Sequence, residues 1–90
     1  MSEVRDNPAQ SRFEVEVEGQ LALADYRRGG GKLMITHVET PPALQGQGVA
    51  AKLMDGVVEA ARAEGAKIVP ICGYAAAYMR RHKEHADLLG

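Results

Sequence analysis

Between Phe13 and Glu18 apolar and acidic side chains alternate strictly, with Phe13, Val15 and Val17 on one side and Glu14, Glu16 and Glu18 on the other. A period of two is the signature of a half-buried strand. Gly19-Gln20 predicts a turn into a second strand over residues 21–28, where Leu21 and Leu23 face away from Ala22, Ala24 and Tyr26. The run Gly29-Gly30-Gly31 supplies positive φ angles and reads as a hairpin loop. A third strand over residues 32–39 places Leu33, Ile35 and His37 on one face, and Met34, Thr36 and Val38 on the other. The first half of the chain therefore reads as an antiparallel meander.

The pattern then changes. Thr40-Pro41-Pro42 stops the strand, and residues 44–48 form a glycine-bearing turn. From Val49 to Glu64 the spacing is helical: Val49, Leu53, Val57 and Ala60/Ala61 share a face opposite Lys52, Asp55, Glu59 and Arg62. Gly65 is suited to end that helix. Residues 67–72 are a short apolar run, as expected of a buried strand reached by a crossover helix. Pro70 lies within it and cannot donate to a ladder, so this strand is expected at a sheet edge or parting from its neighbour. Helical spacing returns from Gly73 to about residue 83. The expected fold is α+β (mixed α/β) in the order β-β-β-α-β-α, one domain over residues 12–90 behind a flexible N-terminus of residues 1–11.

Ninety residues suffice for one domain and a single two-layer core. A formal net charge of −1 gives no electrostatic case for nucleic acid or an anionic membrane as partner. Arg80, Arg81 and Lys83 form a short basic cluster, flanked by Glu84 and Asp87, that is read equally as a phosphate contact or a solvated helix face. A lone thiol, Cys72, no apolar leader and no long apolar run lead to the expectation of a cytoplasmic protein.

The turn Gln45-Gly46-Gln47-Gly48-Val49-Ala50 sits between a strand and a helix start. Unpaired N–H groups of a first helical turn converge at such a place, the helix dipole adds about half a positive charge, and glycine lets backbone approach phosphate oxygens closely. No Gly-Lys-Ser/Thr follows, which excludes a Walker A loop. Gly46-x-Gly48-x-x-Ala51 fits the dinucleotide fingerprint, but an antiparallel meander precedes it rather than a βαβ unit. A glycine-rich helix start with no ligand is the remaining plain reading.

The neighbouring residues decide among these. Gln45, Gly48 and Ala50 match the Gln/Arg-x-x-Gly-x-Gly/Ala motif of the GNAT N-acetyltransferase superfamily. The stretch from Ile35 through Pro41-Pro42 to Gly48, and Val69-Pro70-Ile71-Cys72 followed by Tyr74, Tyr78 and Arg80-Arg81-His82, resemble its small single-domain, yjdJ-like branch. The likeness spans roughly residues 13–89. It implies acetyl-CoA as co-substrate, with no metal, and an amine acceptor that is a small molecule or a protein. The pantetheine arm would lie along Val38, Glu39 and Thr40, and the pyrophosphate on Gln45, Gly46, Gln47, Gly48, Val49 and Ala50. Larger members carry helices between their first two strands that wall the acceptor site; a short turn replaces them here. Gly73, Lys83 and His85 also depart from the residues expected in the small branch.

Acetyl transfer to an amine needs a deprotonated amine and a proton for the leaving thiolate. The resemblance places Tyr78 as the acid. Cys72, at the strand end, is a candidate to accept the acetyl group covalently, with His37 on the facing strand assisting it or the amine. Each has a plain counterpart: Cys72 as packing, His37 as a hydrogen-bonded core histidine, Tyr78 as a core aromatic. One thiol and no paired-ligand framework argue against zinc on Cys72, His37, His82 and His85. Expected above all is an acetyl-CoA-dependent N-acetyltransferase, and in second place a non-catalytic acyl-CoA-binding module.

Overall fold

The computed structural model describes residues 3–90. Its sheet has five strands in chain order. β1 (Arg5–Asn7), β2 (Arg12–Val17), β3 (Gln20–Gly29) and β4 (Lys32–Glu39) pair antiparallel in succession, and β5 (Lys67–Pro70) pairs parallel with β4. A parallel neighbour requires a crossover, which α1 (Val49–Glu64) supplies. After β5 come α2 (Gly73–Arg81) and a 3-10 segment, Lys83–Leu88. The α+β class and the β-β-β-α-β-α order are as expected, with one further strand in front.

That strand, β1, lies within residues 1–11, for which the sequence pattern predicts no element and of which the first two lie outside the described residues. Its cause is polar. Glu14, expected on a solvated face, is only 2% exposed. It accepts hydrogen bonds from Arg5 Nε at 3.2 Å, Asn7 Nδ2 at 3.0 Å and Arg12 Nε at 2.6 Å. The Arg12 hydrogen bond in particular holds its carboxyl below the ordinary 4.5. Asp6 adds a bond from the Tyr26 hydroxyl at 2.6 Å and an ion pair with Arg28. A strand docked through charge has no apolar alternation to announce it.

Phe13, Val15, Ala22, Ala24, Leu33 and Ile35 form one sheet face and meet Leu53, Met54, Val57 and Ala61 of α1 and Ala75 and Met79 of α2 in a single core. The β2–β3 turn is at Glu18-Gly19, one residue earlier than expected, with φ of 51° and 75°. Two consecutive positive φ angles give the hairpin a twist that suits its strands. Among the described residues no helix is long and apolar enough to cross a membrane.

One irregularity in β4 bears on function. Asp25 pairs with His37, yet Tyr26 pairs with Ile35, so β4 carries an extra residue there. Such a bulge slips the alternation by one. Val38 therefore joins the core side and packs against it, while His37 turns to the opposite face and is exposed. Strict alternation had put His37 with Leu33 and Ile35 and Val38 across from them; the bulge reverses both.

Candidate functional site: a cleft where two strands part

β5 ends at Pro70, in register with Ile35, whereas β4 continues to Glu39. Just beyond, the Ile35 carbonyl accepts from both Ile71 N–H (3.0 Å) and Cys72 N–H (3.1 Å), and the chain turns away into α2. The last residues of β4 consequently have no partner in β5. Pro70 stands at the parting, on the edge strand of the sheet. A residue without an N–H costs nothing where the ladder stops.

The glycine turn closes one side of this gap. A 3-10 segment, Pro42–Leu44, brings the chain from β4 to the turn. Gln45 Nε2 donates to Thr40 O at 3.2 Å and Gln47 Nε2 to Ala43 O at 3.0 Å, so both glutamine side chains brace the loop. Gly46 and Gly48 have φ of 80° and 75°, which L side chains rarely adopt, and a Cβ on either would meet nothing within 4 Å. Gly48 starts α1 without a side-chain cap. The N–H groups of Val49, Ala50 and Ala51 thus open the helix with no intrahelical acceptor. A bare, positively polarised backbone surface faces the gap.

Between these parts lies a cavity of about 360 Å³. Val38 and Thr40 line it from β4, Leu44 and Val49 from beneath, and Gln45, Gly46 and Gly48 from the turn. Ala50 and Ala51 add the first turn of α1, and Tyr74 closes the far side from α2. Glu39 and Gln47, also expected at the cofactor, are exposed but do not line it.

The expected catalytic trio is not brought together. Tyr78 is 3% exposed and does not line the cavity; its hydroxyl donates to Asp55 Oδ1 at 2.5 Å and its ring stacks on His82 at 4.0 Å. Burial, then that carboxylate, push its hydroxyl well above the ordinary tyrosine range. Cys72 caps α2, its Sγ accepting from Ala75 N–H at 3.3 Å, and is half-buried against the core. His37 lies on the other face, its Nε2 3.3 Å from Glu39 Oε1. Sequence reasoning missed Tyr74, which reaches the cavity and is 37% exposed. The signal was its position in the first turn of α2, next to the strand end. Partial burial raises its hydroxyl above the ordinary 10.0, Arg81 opposing and Asp55 assisting.

Residues 12–88 match the model of the GCN5-related N-acetyl-transferase family, and the chain belongs to that family. Acetyl transfer is the general function membership gives it. A GCN5-like protein from Staphylococcus aureus, determined by NMR, superposes with a TM-score of 0.76 at 28% identity, covering 98% of this chain and 87% of that one. No curated protein matches the chain.

Proposed function

We propose that this protein is an acetyl-CoA-dependent N-acetyltransferase that acts on a primary amine in the cytoplasm by direct attack within one ternary complex. The observation that carries the reading is the cavity itself, bounded by bare helix-start amides on one side and an unpaired strand end on the other. The residues fit the co-substrate. The N–H groups of Gly46, Gly48, Val49, Ala50 and Ala51 suit a diphosphate, which helix dipole and backbone bind without a lysine. The backbone of Val38, Glu39 and Thr40 on the side away from β3, which β5 does not reach, suits an amide-bearing arm that needs strand-like pairing. Coenzyme A supplies the activated acetyl group; the chain supplies orientation and protons.

Tyr74, at the cavity wall with its proton held, is suited to protonate the leaving sulfur. Tyr78 is not, because its hydroxyl is already given to Asp55. His37 and Glu39 stand exposed at the end of β4 on the non-core face, where they suit an acceptor approaching from that side. The bulge supports direct attack over a Cys72 acyl-enzyme: it turns the imidazole away from the face where Cys72 packs.

Incubation with acetyl-CoA and a panel of primary amines, followed by intact mass spectrometry, tests this. Acetylated amine with no stable acetyl adduct on the protein is the expected result. An acetyl group on wild type but not on Cys72→Ala would replace direct attack with the covalent route. The separation of Cys72, His37 and Tyr78 favours, as second reading, a module that binds acyl-CoA without turnover. Saturable binding with no acetylated amine would establish it.

A further inference from the structure

We propose that Asp55 is a positioning residue for Tyr74: its hydrogen bond with Tyr78 locks α2 to α1 so that the Tyr74 hydroxyl is held in the cleft. This rests on the reading of Tyr74 as proton donor. Tyr74 and Tyr78 are four residues apart, hence on one face of α2. Ala51 and Asp55 are likewise four apart on α1. Ala51 lines the cavity with Tyr74, and Asp55 accepts from Tyr78. The two helices therefore present two successive levels to each other, Ala51 and Tyr74 lining the cavity and Asp55 bonded to Tyr78 one turn below. At the cavity level the α1 side chain is a methyl, which offers the Tyr74 ring no hydrogen bond. One turn below, a hydrogen bond of 2.5 Å fixes the Tyr78 phenol from the α1 side.

Tyr78 is held from its other sides too. His82 stacks on its ring with centroids 4.0 Å apart, and His82 Nδ1 lies 2.8 Å from the Tyr78 carbonyl. The first turn of α2 lies on the cavity side of this anchor, where Tyr74 lines the wall. Charge acts in the same direction as geometry. The ionisable groups facing Tyr74 are Asp55 from α1, Arg81 and Tyr78 from α2. The cavity wall formed by β4, the glycine turn and the start of α1 carries no ionisable side chain. Burial chiefly keeps the Tyr74 proton in place; Arg81 opposes it, and Asp55 is the anionic neighbour that adds to the burial effect.

The full chain labelled with 13Cζ-tyrosine permits a direct test, with Tyr74→Phe identifying the resonance. Asp55→Asn and Tyr78→Phe both preserve volume, and Tyr78→Phe keeps the stack on His82. In both, the Tyr74 resonance is expected to titrate at lower pH than in wild type, with Asp55→Glu restoring part of the shift. Where an amine is turned over, kcat falls about tenfold to a hundredfold, the scale of a misplaced catalytic group. KM for acetyl-CoA stays within about twofold, because the glycine turn that binds it is untouched. An unchanged Tyr74 titration in both variants, with wild-type circular dichroism, overturns the inference. So does wild-type kcat in both. If wild type acetylates nothing, the function proposed above fails, and the ligand-free titration still decides whether Asp55 governs Tyr74.

Discussion

Tyr74 and Tyr78 lie one turn apart on the same helix, yet one reaches solvent in a cleft and the other is sealed by a carboxylate and an imidazole. The chemistry available to each follows from that difference. Removing the Tyr74 hydroxyl in Tyr74→Phe is expected to lower kcat about a hundredfold with little change in KM, as for loss of a general acid; steady-state kinetics checks it. With Tyr74 as the proposed donor, its raised value keeps the hydroxyl protonated at neutral pH, and an alkaline limb of kcat is expected only above 10.0. Cys72→Ala is expected to leave kcat within about twofold and to cost about 1 kcal/mol of stability through the lost helix cap, measurable by urea unfolding. Glu14 gives a second pH effect, this time on folding. Its carboxyl is held below 4.5 in the folded chain, so its stabilising contribution is present at neutral pH and disappears as pH falls below that value. Glu14→Gln is expected to unfold about 2 kcal/mol more readily at neutral pH, the scale of a charged hydrogen bond, and to match wild type under acid conditions.

At the scale of elements, the glycine turn and the strand bulge together shape the cleft. Gly48→Ala forces an L residue to a φ of 75°. About 1 kcal/mol of stability is expected to be lost to that strain, and binding of acetyl-CoA to weaken, because the amides behind the turn shift. Calorimetry on the variant checks both. Much of this level was legible in the chain. α1 has the bounds its periodicity implied, since six buried apolar positions recur at helical spacing from Val49 to Ala61. Pro70 announced the end of pairing, because an imide nitrogen has no hydrogen to give. His37 was misplaced because a bulge shifts alternation without altering composition, and only the pairing with β3 reveals it. β1 escaped notice because its anchor is Glu14 with Arg5, Asn7 and Arg12, and ion pairs have no period. Tyr74, proposed here as the proton donor, lies one helical turn before the tyrosine to which the resemblance points: both share a face, and which of them bonds to α1 is decided by tertiary packing with Asp55.

For the molecule as a whole, the sheet and helices enclose one core, and the cavity proposed as the site lies where two strands separate. The family match covers residues 12–88, from β2 onward, and leaves β1 outside it. Val4, the residue before β1, nonetheless packs on α1, since a Cβ added to Gly56 would meet the Val4 side chain at 2.5 Å. Gly56→Ala is expected to displace that segment while leaving the cleft and acetyl-CoA binding intact, which separates the N-terminal docking from the site. The most direct measurement of the central claim is a 15N–1H correlation spectrum titrated with acetyl-CoA. Shifts confined to the amides of Val38, Glu39, Thr40 and residues 46–51, with Tyr74, are expected. Saturating acetyl-CoA that leaves those amides unmoved, or moves instead the strands remote from the parting, would contradict it.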